Sequence, residues 1–373
     1  MSINYYDLSL DPSIFEKLNE YLHTVPLTDF SIRLKTEERF KNYFNCKKAI
    51  LVNSGTTALY LSMLAIKQLL NKDITDNDIS IIGPAYGHPA WIQAARLAGY
   101  KLQFCDVKEN TLSMNPDMLI DSINDTTKVV LFIDKAGYIG EDLFKVKDIC
   151  NKHNLFLIED SCNALGHRYN DIYAGTIGDF GTFSFSNPKT ITCGEGGLVI
   201  SNREDVNGIL DDLQYEGGWY NYHRNKDKTF INMGGNFNLC PQNCFIVNEQ
   251  IGLIEDYLHK QLDIYNKYVS KGISLINFGN NYKYCPSINI TINKNANKMH
   301  DLYNKMNIRT LYKHYKNMSK FFTSNRYPVA DRLEEEVLML PKSFNLTDKD
   351  INTIVSIYKV FMKGGRCVYD VRR

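Results

Sequence analysis

The chain has 373 residues, 44% of them hydrophobic and 23% charged, with 43 lysines and arginines against 42 aspartates and glutamates. That length and apolar content suffice for one large domain and one smaller one, each with a core. The formal net charge of +1 excludes the broad basic field that non-specific binding to nucleic acid or an anionic membrane requires, so any anion must be held locally.

The opening MSINYYDLSLDPSIF has no basic-then-apolar leader pattern, and no later run approaches the roughly 20 apolar residues of a membrane span. A cytoplasmic location is expected, with no membrane and no nucleic acid among the partners. Nine cysteines, at 46, 105, 150, 162, 193, 240, 244, 285 and 367, show no C-x-x-C spacing. Reduced thiols and no metal site are the expectation.

Along the chain, runs of strand character occur at KAILVN (48–53), ISIIG (79–83), KLQFCDV (101–107), KVVLFI (128–133), LFLIED (155–160), FGTFSFS (180–186) and GLVISN (197–202). Most are separated by helical stretches: TTALYLSMLAIKQLL, PAWIQAARLAG, and NPDMLIDSI with Asn115 as N-cap and Pro116 at the first helical position. Near-continuous apolar strands alternating with helices predict an α/β fold with a mostly parallel sheet covered on both faces. From about Pro241 the pattern changes to one long helical run reaching about Gly272. A strand-like YCPSINITI, the helix NANKMHDLYNKMN, and two last helices near 328–340 and 347–363 follow. We therefore expect a large domain over residues 1–245, including an N-terminal segment, and a small C-terminal α+β domain over 246–373.

In open α/β sheets chemistry collects at the carboxyl ends of strands. One such end is NSGTTAL, where Gly55, Thr56 and Thr57 bring backbone N–H groups, hydroxyls and a helix N-terminus together, a natural seat for a phosphate. It is not a P-loop, since no Gly-Lys-Ser/Thr follows. A second is LFLIEDSCNALG, where at least one of Glu159 and Asp160 must lie at the sheet edge and meet a cation there. The third is FSFSNPKTITCGEGG, in which Lys189 follows a strand end and a proline and precedes glycines that allow close approach. A desolvated lysine amine can form a Schiff base with an aldehyde. Phosphate seat, buried carboxylate and such a lysine together describe pyridoxal 5′-phosphate (PLP).

The stretches SGTTAL, EDSCNALG, GDFGTFSFSNPK and GEGG, in that order, together with ADRLEEEVLMLPKSFNLTD near the end, resemble the motifs of the DegT/StrS sugar aminotransferases of PLP fold type I, over nearly the whole chain. The resemblance implies a seven-stranded sheet, a homodimer with shared active sites, and transfer of an amino group to a keto sugar, nucleotide-linked, from glutamate or glutamine. It implies that Lys189 carries the cofactor and acts as base, that Asp160 faces the pyridine nitrogen, and that Asn163 stands beside the 3′-oxygen where the family has Gln or His. Thr56, Thr57 and Ser184 would hold the phosphate, His88 would stack on the ring, and Asn236, in GGNFN, would reach the partner subunit's cofactor. Asn238 replaces a family arginine, which leaves Arg224, Arg309 or Lys342 to consider for the donor carboxylate.

The stretch FIDKAGYIGED keeps Gly137 of the family's V-H-L-Y-G-Q-P but departs from it at Asp134, Lys135 and Tyr138. Lys135 is therefore expected to touch substrate. The aromatic and basic loop at 216–230, with Tyr220 and Arg224, is expected to do so too. Alternatives are a smaller keto substrate, a non-catalytic PLP-binding regulator, and a PLP-dependent sugar 3-dehydratase. Relatives of that last kind carry histidine in place of the lysine, so Lys189 argues against it. A nicotinamide enzyme is set aside for want of a G-x-G-x-x-G between strand and helix.

Overall fold

The seven apolar runs form one sheet in a computed structural model that describes residues 2–6, 10–73, 75–218, 233–279, 281–284 and 286–362. Its strands are β1 (Lys48–Val52), β2 (Ser80–Pro84), β3 (Lys101–Cys105), β4 (Thr127–Ile133), β5 (Phe156–Asp160), β6 (Phe180–Ser184) and β7 (Gly197–Ser201). They lie in the order β1-β7-β6-β5-β4-β2-β3. β7 runs antiparallel to both neighbours, and the remaining pairs are parallel. β2, β6 and β7 are buried at every position, and β1 and β5 at all but their first. That is why these runs read as continuous apolar segments rather than alternating ones.

The sheet is covered by α3 (Gly55–Leu69), α4 (Ala90–Leu97), α5 (Pro116–Ser122), α6 (Glu141–His153) and α7 (Asn207–Gln214). They are preceded by α1 (Pro12–Thr24) and α2 (Ser31–Phe44), two helices the sequence reading did not identify. Leu61 to Lys67 of α3 are buried on every side, because α3 is enclosed by the sheet, α4 and α7. Each Leu or Ile so enclosed contributes about 1.5–3 kcal/mol. The one ammonium among them, on Lys67, is held by the carbonyls of Asp73, Asp76 and Gly99 at 3.1, 2.6 and 3.3 Å. In α5 the Asn115 side chain accepts from the Asp117 N–H, with Pro116 opening the helix, as expected from the sequence.

The C-terminal part departs from its reading in two places. The expected single helix after Pro241 is α8 (Pro241–Gln250), a 3₁₀ turn at Ile251–Leu253, and α9 (Ile254–Ser270). The expected helix near 328–340 is α11 (Pro328–Glu336), followed by a strand, β10 (Val337–Met339). β10 lies between β8 (Ile290–Ile292) and β9 (Leu311–Tyr312) and pairs antiparallel with both. Two ladders at once outweigh the few tenths of a kcal/mol that helix propensity offers these residues. α10 (Ala296–Lys305) and α12 (Asp348–Met362) complete the region.

Two contacts bring distant chain to the sheet's carboxyl edge. Lys316–Asn317 pairs antiparallel with Tyr86–Gly87. The N-terminus bridges Ile3 to Ile308, and its Tyr5 carbonyl accepts from the Lys342 N–H at 2.8 Å. Among the described residues no helix is long and apolar enough to cross a membrane.

Candidate active site

At the carboxyl ends of β1, β4, β5 and β6 lies a cavity of about 360 Å3. Its floor follows from the strand period. Successive side chains point to opposite faces, so Glu159 and Asp160 part company. Glu159 is fully buried against the N–H groups of Gly175, Ile177 and Gly178, and burial raises its carboxyl to about 7 although those N–H groups pull the other way. Asp160 faces the cavity, only 9% exposed, and one carboxylate oxygen accepts from the Cys162 N–H at 3.2 Å. The strand-end pattern alone left open which of the two carboxylates faces the site; the resemblance named Asp160, and the pleat puts that residue in the cavity.

Beside Asp160, the α3 N-terminus supplies the anion seat. Ser54 caps it by accepting from the Thr57 N–H at 3.1 Å, while Gly55 and Thr56 line the cavity with Ser184. A Cβ on Gly55 would stand 2.8 Å from that of Ser184, and one on Gly197 2.4 Å from the Ser54 carbonyl oxygen. Glycine is required at both positions for the helix start to come this close to β6 and β7. Thr57 is not part of the lining, and its hydroxyl is bonded to Asn53 at 2.6 Å.

Lys189 is half-buried, and its Nζ donates to Asn163 Oδ1 at 2.9 Å. Asn163 Nδ2 in turn donates to the Tyr315 hydroxyl at 3.3 Å, and the Tyr6 hydroxyl donates to the Lys189 carbonyl at 3.3 Å. His88 stands at the cavity with its ring 6.3 Å from that of His314. Its pKa is lowered by desolvation and then by the Lys189 charge. Tyr315, His314, Cys162, Ser186 and Glu195 are lining residues that the sequence reading missed. Nothing in the local pattern of YKHYK marks it, because only the pairing of Lys316–Asn317 with Tyr86–Gly87 delivers His314 and Tyr315 here.

Of the three departures in FIDKAGYIGED, one reaches the cavity. Asp134 is fully buried and accepts from the Ser161 hydroxyl, and burial and then Glu159 push its carboxyl well above the usual carboxylate range. Tyr138 donates to Asp142 at 3.1 Å and packs against Phe278 and Tyr282. Lys135, 1% exposed, lines the cavity with Nζ 3.7 Å from the centroid of the Tyr315 ring. The retained Gly137 has φ +89, and a Cβ there would meet the His167 ring at 2.6 Å.

Asn236 is not in the cavity of its own subunit. It bridges to Tyr215 and accepts from Asn238 at 3.2 Å, while Phe237 accepts from the Asn53 N–H beside β1. The buried Arg33 of α2 donates to Asn238 Oδ1, so a guanidinium meets position 238 even though the residue there is asparagine. Arg309 is exposed beside the Ile3–Ile308 bridge. Lys342 is buried but outside the lining, with Nζ 3.4 Å from the Ser287 carbonyl and 5.4 Å from the centroid of the Tyr6 ring. Tyr220 and Arg224 lie outside the described residues.

The residues present fit PLP: a glycine-built phosphate seat, a carboxylate for a ring nitrogen, an amide, and an amine within one cavity. The sequence model described as the DegT/DnrJ/EryC1/StrS aminotransferase family matches residues 9–359. GDP-perosamine synthase of Vibrio cholerae is 33% identical over 54% of this chain and 53% of that protein. A dTDP-4-dehydro-2,6-dideoxy-D-glucose 3-dehydratase of Saccharopolyspora spinosa is 32% identical over 48% and 38%. The chain spans about half the length of the first curated relatives it matches. The structure of Helicobacter pylori PseC, an aminotransferase involved in the biosynthesis of pseudoaminic acid, superposes with a TM-score of 0.85 at 22% identity, covering 97% of this chain and 100% of that one. This likeness establishes the shared fold.

Proposed function

We propose that this chain, which belongs to the DegT/DnrJ/EryC1/StrS aminotransferase family, is a PLP-dependent transaminase that converts a nucleotide-linked keto sugar to the amino sugar, with glutamate or glutamine as donor. The observation that carries this is the lysine amine of Lys189 in one cavity with Asp160 and the capped start of α3. Bound PLP supplies an electron sink and a carrier for the amino group. Lys189 holds it, then takes a proton from the donor carbon and returns one to the acceptor side. The Asp160 carboxylate keeps a proton on the pyridine nitrogen, which opposite charge favours. Gly55, Thr56 and Ser184 hold the phosphate, Asn163 orients the amine, and His88 covers the ring.

The names of the relatives, which include a GDP-perosamine synthase, support a nucleotide-sugar acceptor, and the lysine at 189 favours amino transfer over 3-dehydration. A screen of the amine-loaded protein against keto-sugar nucleotides and smaller ketones tests the reading. Nucleotide sugars should restore the cofactor's visible absorbance. Efficient turnover of a ketone lacking any nucleotide would move the acceptor to the smaller class, and loss of a sugar hydroxyl without amine transfer would make the protein a dehydratase.

The same reading takes the protein as a cytoplasmic homodimer, each chain dividing near residue 245 into a cofactor-binding part and a smaller C-terminal part. Asn236 lies outside its own cavity, bridged to Tyr215 and next to Phe237, which is bonded beside β1, a position from which a two-fold partner can use it. Sedimentation at micromolar concentration should show a dimer, and a fully active monomer would reject the shared site.

A further inference from the structure

Lys135 is a buried amine that no carboxylate among the described residues pairs with directly, Asp160 acting on it only at a distance. It follows β4 on a 3₁₀ turn, Lys135–Gly137, and its Nζ meets no hydrogen-bonding or ion-pairing group among the described residues. It rests instead on the rings of Tyr315 and Tyr86, 3.7 and 5.7 Å from their centroids. A buried ammonium left unpaired is costly, and an arriving anion removes that cost.

The strand order says which anion. β4 and β6 flank β5 on opposite sides, so Lys135 and the phosphate seat, built from Ser184 and the start of α3, stand on opposite sides of Asp160. The cofactor's phosphate is thus provided for elsewhere. Of the basic residues considered for a carboxylate, Lys342 lies beneath Tyr6 and Arg309 at the surface, while Arg224 is outside the described residues; Arg33 is engaged at Asn238. We propose that Lys135 binds the carboxylate of the amino donor, an assignment that rests on the transaminase reading above.

Charge sets a second consequence. Burial lowers the Lys135 amine to about 7, Asp160 pulling it back up and Lys189 pushing it down. His88, His314, Tyr86 and Tyr315 also face it. The amine is charged below that value and neutral above it, so carboxylate binding should weaken as pH rises through about 7. The test uses glutarate, a dicarboxylate with no amino group to transfer, titrated calorimetrically into cofactor-loaded protein. Lys135→Met should weaken glutarate about tenfold or more at pH 6.5, the size of a charge-assisted contact. Lys135→Arg should keep the affinity and make it flat from pH 6 to 8.5, since arginine stays charged.

Borohydride reduction and peptide mapping of each protein first establish that PLP sits on Lys189. If the wild-type protein carries none there, the transaminase reading itself fails. If cofactor is in place and Lys135→Met binds glutarate as wild type does, or wild type binds none, only the carboxylate assignment is overturned. Loss of cofactor from Lys135→Met alone also overturns it, placing the amine in the cofactor's own seat.

Discussion

Lys189→Ala should lower amino transfer about 10⁴-fold or more while leaving the fold intact, because on the proposed roles the change removes both the cofactor's point of attachment and the base. The side chain can be removed cheaply. It is half-buried, and its amine makes one hydrogen bond, to Asn163, so the thermal midpoint should move little. Borohydride should then fix no cofactor to the variant, whereas in the wild-type protein peptide mapping should recover it at residue 189. A variant retaining a hundredth of the wild-type rate, or cofactor mapped to another lysine in wild type, would remove Lys189 from this role.

Asp160→Asn is the second large effect. The amide is isosteric and can still accept from the Cys162 N–H, so the fold should persist. What would be lost is the negative charge proposed to keep a proton on the pyridine nitrogen. A charge at about 4 Å in an effective dielectric near 20 is worth roughly 4 kcal/mol, about three powers of ten in rate if the transition state loses all of it. Steady-state kinetics beside a denaturation curve separate the two consequences. A folded variant turning over within tenfold of wild type would show that the nitrogen does not depend on Asp160. Glu159→Gln offers the contrast, since Glu159 faces the backbone N–H groups of residues 175, 177 and 178 and its loss should register in stability rather than in the chemical step.

Much of this architecture is decided locally. Most of the seven strands are legible because burial on both faces makes them nearly continuously apolar, and α5 is legible from Asn115 and Pro116 because capping is a contact between near neighbours. SGTTAL and FSFSNPK could be placed at strand ends for the same reason. What tertiary structure alone decided are the consequences of long-range pairing. Val337–Met339 becomes a strand because two partners flank it. His314 and Tyr315 enter the cavity because Lys316–Asn317 docks on Tyr86–Gly87. Asp134, Lys135 and Tyr138, close in sequence and equally unusual, separate into a buried acid, a cavity amine and an aromatic packing residue. A residue's neighbours along the chain set its backbone preference, but its electrostatic surroundings come from other segments, such as Glu159 for Asp134 and Tyr315 for Lys135, and no local pattern carries their position.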